Sequence, residues 1–229
     1  MIFRDRKDAG QKLAAALAGL EGQDCVVLAL PRGGVPVAAE VAEALDAPLD
    51  LLLVRKIGAP RQPELAVGAV IDGGEPIVVR DPEIMRATGT SESAFKAICA
   101  QELAEIERRR KFYLGSRKPV ALAGRIAIIV DDGLATGNTM RAALEGARLR
   151  GPAMLVMAVP VAPKSAVADF RAEADEIFCL SSPDPFDAVG HFYEDFSETS
   201  DDEVIALLAR HGEKQTPLPA DGSESRARM

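Results

Sequence analysis

The feature that most limits the fold is an alternation along the chain, in which apolar runs of strand length are separated by segments of helical period. Residues 26–30 (VVLAL), 49–54 (LDLLLV), 125–130 (RIAIIV), 153–161 (AMLVMAVPV) and 176–180 (EIFCL) read as strands with little polar interruption. Helical patterns fall at 35–45, where Val37, Val41, Ala44 and Leu45 share a face, and again at 140–150 and 164–174. Strands apolar on both faces belong in a mainly parallel sheet covered by helices on both sides, an α/β class. Two more apolar runs, 67–71 and 76–79, are joined by Asp72-Gly73-Gly74 and read as a hairpin. A long helix is expected from Thr90 or Ser91 to about Leu114, with Phe95, Ile98, Cys99, Leu103, Ile106 and Tyr113 as its apolar stripe. The basic residues 108–111 suit the negative end of that helix and read as a solvated helix end. Residues 212–229 lose periodicity and are rich in Pro, Gly, Ser and charge, so they read as a disordered tail. The expected organisation is one α/β domain over residues 1–211, followed by that tail.

Charge and cysteine usage narrow the function classes. The formal net charge of the 229-residue chain is -8, which argues against attraction to nucleic acid backbones. Any polyphosphate ligand would need a local positive site built against that field. Cys25, Cys99 and Cys179 lack a CxxC spacing or a neighbouring His cluster and read as free thiols of a reducing compartment, with no zinc site. The first 18 residues contain Arg4, Asp5, Arg6, Lys7 and Asp8 and do not read as a signal peptide. No apolar run reaches the length of about 18 residues needed to span a membrane. The expectation is a cytoplasmic protein with neither a nucleic acid nor a membrane partner.

The chemistry concentrates in residues 128–140, IIVDDGLATGNTM. An apolar strand delivers two adjacent carboxylates, Asp131 and Asp132, at its carboxyl end, where open α/β sheets bind ligands. Gly133, Ala135, Thr136, Gly137, Asn138 and Thr139 follow. Their small side chains let backbone N–H groups and a helix N-terminus converge on a phosphate, with Thr136 and Thr139 adding hydroxyls. Carboxylates beside a phosphate cradle must face something other than the phosphate, either sugar hydroxyls or a divalent cation. That combination fits a ribose 5-phosphate. No Lys follows Gly137, so a Walker A loop is absent, as is GxGxxG.

Over its full length this string resembles the 5-phosphoribosyl-1-pyrophosphate (PRPP) motif of type I phosphoribosyltransferases. The resemblance implies that family's α/β fold with a small hood, here expected from about residues 55–80 and 183–200. It further implies that Asp131 and Asp132 hold the ribose 2- and 3-hydroxyls and that Ala135 to Thr139 hold the 5-phosphate. Three other segments are similar to family elements. Leu30-Pro31-Arg32-Gly33-Gly34 corresponds to the pyrophosphate loop, with Arg32 and the amides of Gly33 and Gly34 as anion donors. Arg55-Lys56-Ile57-Gly58 resembles the element before the mobile loop of adenine-type enzymes. By the resemblance Arg55 and Lys56, or Arg61 in the Gly- and Pro-rich loop expected from Ala59 to Ala66, would bind pyrophosphate, and Glu64 would meet the acceptor. Residues 185–196 (PFDAVGHFYEDF) resemble a base-binding hood, with Phe186 and Val189 as acceptor contacts. Ala135 stands where 6-oxopurine enzymes carry Asp, which points away from hypoxanthine or guanine.

The reaction implied is displacement of pyrophosphate from C1 of PRPP by a nitrogen acceptor, with Mg²⁺ neutralising the leaving group. By the resemblance the candidate catalytic residues are Asp131, Asp132, Glu64 and Lys56, with Asp131 and Asp132 touching the metal through ligand or water, and a homodimer is the default assembly. Two other readings stay open: a PRPP- or nucleotide-responsive regulator without efficient transfer, and a phosphoribosyl hydrolase.

Overall fold

The computed structural model describes residues 1–72 and 76–211. Five strands form one parallel sheet: β1 (Cys25–Ala29), β2 (Leu49–Leu51), β6 (Ile126–Val130), β7 (Met154–Val161) and β8 (Glu176–Ser181), in the order β2-β1-β6-β7-β8. The expected parallel α/β architecture is therefore present. Along β6, Ile126, Ile128 and Val130 point into one core, and Ala127 and Ile129 into the other. This is the period-two alternation of a strand buried on both faces.

The first core is closed by α2 (Gly34–Ala44), with α1 (Arg6–Ala16) packed across it and α7 (Asp201–His211) alongside. Sequence periodicity did not single out α1. Its marks are the Asp5 cap, whose side chain accepts the Asp8 N–H at 2.7 Å, and the buried spacing Ala9, Leu13, Leu17. Gly10 lets the two helices close up, since a Cβ there would lie 2.7 Å from the Val37 carbonyl oxygen. The second core lies under α5 (Asn138–Arg148) and α6 (Lys164–Asp169). The helix expected over 164–174 thus ends early and continues as one 3-10 turn, Phe170–Ala172.

A second sheet of three antiparallel strands contains β3 (Val54–Ala59), β4 (Gln62–Ile71) and β5 (Ile77–Arg80). The expected hairpin is there, with Ile71 opposite Ile77, although Gly73 and Gly74 of its turn fall outside the described residues. Two expectations need correction. The run 49–54 is divided between the sheets, ending as β2 at Leu51 and reopening as β3 at Val54. The supposed loop after Gly58 is an extension of the antiparallel sheet, with β3 and β4 turning at Pro60 and Arg61. Pro63 is tolerated there because the register steps from Ala59↔Gln62 to Gly58↔Ala66, which bulges Pro63–Leu65 out of the pairing. The expected tail, 212–229, lies outside the described residues.

After the short α3 (Pro82–Thr88), the long helix α4 (Glu92–Leu114) starts at its expected cap, where the Ser91 hydroxyl accepts the Ala94 N–H at 3.2 Å. Its basic end is only partly solvated. Arg108 and Arg109 pair with Glu105, but Arg110 turns inward to Asp72 and to Asp50, the latter at 3.4 Å. Asp50, 2% exposed, also accepts the Val120 N–H at 2.9 Å and faces Arg117, whose guanidinium reaches the Leu49 and Leu208 carbonyls. One buried carboxylate thus joins β2, the chain entering β6, and the ends of α4 and α7. Asp50→Ala leaves Arg117 without a carboxylate, Arg110 with Asp72 alone and the Val120 N–H without its acceptor, and a loss of about 3 kcal/mol is expected in urea unfolding. A change below about 1 kcal/mol would contradict this role.

Candidate functional site

The strand order reverses between β1 and β6, and there the carboxyl ends of both strands stand side by side, with Ala29 level with Val130. Such a switch point opens a crevice in doubly wound sheets. Two loops enter it, residues 30–34 after β1 and residues 131–137 after β6. The Leu30 N–H donates to the Val130 carbonyl at 2.9 Å, and the Gly34 N–H to the Leu30 carbonyl at 3.0 Å. Gly33 and Gly34 are required by this closeness. A Cβ on Gly33 would overlap the Asp132 carboxylate, and one on Gly34 would sit 2.8 Å from the Val130 oxygen.

The acid pair forms the floor. Asp131 Oδ1 accepts the Asp132 N–H at 2.9 Å. Burial pushes the Asp131 carboxyl well above the usual carboxylate range, and the neighbouring charge of Asp132 pushes it further. Burial also raises Asp132, but here a counter-ion opposes it: Arg6 Nε–H donates to Asp132 Oδ2 at 2.8 Å. Tyr193 donates its hydroxyl to the Asp132 backbone carbonyl at 2.6 Å. Burial followed by the Asp132 charge pushes Tyr193 upward, so it keeps its proton and remains a donor.

The small-residue loop is anchored by the Leu134 N–H on the Val161 carbonyl, 2.9 Å. Gly137, at φ 71°, caps α5, and a Cβ on it would meet the Phe170 ring at 2.8 Å. The helix begins at Asn138, two residues earlier than the periodicity suggests. Its first-turn N–H groups, from Asn138 to Met140, therefore point out of the helix end. Ala135, Thr136, Asn138 and Thr139 are exposed around that end, and Gly133 is buried beneath it.

Residues 3–196 match the family model described as the phosphoribosyl transferase domain. The chain belongs to that family. Two phosphoribosyl transferases of Mycobacterium tuberculosis, so named provisionally and found in two strains, are each 50% identical to it over 209 residues. Those matches cover 91% of this chain and 47% of each relative, so the chain spans about half the length of the curated relatives it matches. A crystal structure of TT1426 from Thermus thermophilus superposes with a TM-score of 0.81 at 45% identity, covering 93% of this chain and 100% of that one.

Within this phosphoribosyl transferase domain the remaining sequence candidates divide between the crevice, where Arg32 and Val189 lie, and the β3–β4 hairpin. Arg32 is in the crevice loop but is paired with Glu198 and lies 3.7 Å from Asp201. Arg55 pairs with Glu102 on α4 at 2.6 Å. Lys56, Arg61 and Glu64 are exposed on the β3–β4 hairpin, and among the described residues no hydrogen bond or ion pair joins them to Asp131 or Asp132. Phe186, half-buried, stacks one face on Phe192, with ring centroids 5.4 Å apart. Val189 packs onto Gly133, where a Cβ would lie 2.5 Å from its Cγ1. His191 sits exposed beside Asp187 at 3.1 Å.

Sequence reading missed Arg6 and Tyr193, which hold Asp132 from opposite ends of the chain. Nothing local in the sequence marks Arg6, whose partner is 126 residues away. Among the described residues there is no cluster of three or more metal-ligating side chains, and no helix is long and apolar enough to cross a membrane.

A buried carboxyl raised in the folded state is destabilising wherever it is ionised, so its cost is present above its folded value and fades as pH falls. Asp131→Asn keeps the acceptor for the Asp132 N–H and removes that charge. The variant is expected to melt roughly 2–4 °C higher at pH 8, with a smaller gain at pH 5, in paired thermal scans. A variant less stable than wild type at pH 8 would show that the ionised form is favoured by the fold.

Proposed function

We propose that this domain binds PRPP in the crevice between β1 and β6 and transfers its phosphoribosyl group to a nitrogen acceptor of the nucleobase type, releasing pyrophosphate. The observation that carries the reading is the contact of the Gly33-Gly34 loop with the Asp131-Asp132 pair, which brings an anion-binding loop against two carboxylates beside a helix N-terminus. In PRPP the same three features occur in the same relation: pyrophosphate, a diol, and a 5-phosphate beyond it. On this reading the acid pair accepts hydrogen bonds from the ribose hydroxyls. The amides of residues 135–139 and the start of α5 take the 5-phosphate, and Arg32 with the amide of Gly33 takes the pyrophosphate, the Gly34 N–H being engaged on the Leu30 carbonyl.

In the transfer step the C1–O bond breaks and its electron pair leaves with pyrophosphate. The lone pair of the acceptor nitrogen forms the C1–N bond, and the proton of that nitrogen passes to solvent or a base. The chain's contribution is to fix C1 between leaving group and acceptor and to hold the departing charge. Residues 55–80 and 183–200 form the hood in this reading, with Lys56 on the pyrophosphate side and Glu64, Phe186 and Val189 on the acceptor side. Mg²⁺, when bound, would neutralise the leaving pyrophosphate. Two carboxylates without a third ligand among the described residues suit an ion held mainly by substrate oxygens and water.

Calorimetric titration with PRPP is expected to show binding that requires Mg²⁺. Asp131→Asn with Asp132→Asn should stay folded and lose affinity by more than about tenfold per carboxylate. Unchanged affinity in the folded double variant would falsify the reading. Pyrophosphate release that needs no added nitrogen acceptor would identify hydrolysis instead of transfer.

A further inference from the structure

We propose that Arg6 is a positioning residue of the transfer site, clamping the Asp132 carboxylate to residues 196–198 so that ribose capture and hood closure occur together. The proposal rests on the PRPP reading above. Arg6 makes three contacts with one guanidinium. Its Nε–H donates to Asp132 Oδ2 at 2.8 Å, its Nη1–H donates to the Ser197 carbonyl at 2.6 Å, and its planar face lies 4.0 Å above the Phe196 ring. The side chains of Arg6 and Asp132 are 12% and 14% exposed, so neither charge has much water to fall back on.

The position of the pair gives it a role at the ligand. A Cβ on Gly33 would overlap the Asp132 carboxylate and come 3.3 Å from Arg6 Nε, so guanidinium, carboxylate and pyrophosphate loop meet at one point. A carboxylate can accept several hydrogen bonds, and Arg6 occupies one oxygen of Asp132, Oδ2. It thereby fixes the rotamer that the other oxygen presents to a sugar hydroxyl.

The fold does not need Arg6 to hold the nearby chain. The N-terminal segment is already laced to it by the Phe3 N–H on Phe192 O, the Glu194 N–H on Phe3 O and the Asp195 N–H on Arg4 O, each at 2.8 Å. Arg6 acts beyond that lacing, on residues 196–198. The same stretch is tied to the pyrophosphate loop by the Arg32–Glu198 pair. A pyrophosphate that takes Arg32 releases Glu198, and the Arg6–Ser197 bond then keeps this stretch over the acid pair. Lysine cannot serve in place of arginine, because one ammonium cannot span carboxylate, carbonyl and ring in a fixed plane.

The test compares wild type, Arg6→Lys and Phe196→Leu by PRPP titration in Mg²⁺ and by hydrogen exchange of the peptide covering 186–198. PRPP is expected to protect this peptide in the wild type. Arg6→Lys should keep a near-normal melting temperature, lose about tenfold in PRPP affinity and lose the PRPP-induced protection. Phe196→Leu leaves the ion pair in place and should lose about threefold. It decides the matter alone if Arg6→Lys does not fold. Both variants at wild-type affinity with wild-type protection would overturn the clamp. Weaker binding with protection retained would overturn it too, reducing Arg6 to charge balance. A wild type that does not bind PRPP removes the site reading itself, and the clamp with it.

Discussion

Parallel pairing of β1 with β6, in register from Cys25↔Ile126 to Ala29↔Val130, ends the two strands level, and both crevice loops inherit their positions from that register. A shift of one residue would turn Ile128 and Val130 out of one core and Ile129 out of the other, so the packing on both faces holds the pairing in place. The requirement for glycine at 33 and 34 follows directly. With the strand ends level, the loop after β1 has to pass within contact distance of the acids after β6, and no side chain fits between them.

That closeness creates an electrostatic problem. Two adjacent carboxylates sit in a buried crevice, and burial pushes both upward. The chain answers with a counter-ion from its N-terminal helix, Arg6 on the Asp132 side chain, while Tyr193 fixes the Asp132 backbone through its carbonyl. Phe3 and Tyr193, joined in a parallel bridge with rings 5.4 Å apart, bring those ends together. α1 is therefore more than a cover for α2, since its first residue supplies the counter-ion for the crevice.

The sheet and the crevice loops were legible in the sequence because each is a local signal. An apolar run identifies a buried strand wherever it lies, and the string from Asp131 to Thr139 carries its chemistry within nine positions. The β3–β4 hairpin was not legible, because Gly58, Pro60 and Pro63 resemble loop chemistry unless the bulge that accommodates Pro63 is known. α1 was obscured by its Ala-rich, weakly amphipathic sequence. Arg6, Arg32 and Arg110 illustrate the general limit. Arg6 and Arg110 each lie in a charged neighbourhood of the chain, and only the fold shows that the first turns to the crevice and the second to Asp50 and Asp72, just as only the fold pairs Arg32 with Glu198.

The groups expected to hold the ligand already have partners of opposite charge. Asp132 has Arg6, and Arg32 has Glu198 and Asp201. In a chain of net charge -8 this arrangement neutralises Asp132 and Arg32 and leaves Asp131 without an ion-pair partner. On the proposed PRPP reading it also sets how the polyphosphate would bind. The ligand's phosphates have to displace the carboxylates on Arg32, so that contact contributes only the difference between two anions on one guanidinium. Backbone amides at Gly33 and the start of α5 face no rival anion, whereas the Gly34 N–H already donates to the Leu30 carbonyl at 3.0 Å. If the crevice binds PRPP as proposed, its affinity for the phosphates would rest more on its backbone than on its arginines, in keeping with a loop of glycine, alanine and threonine.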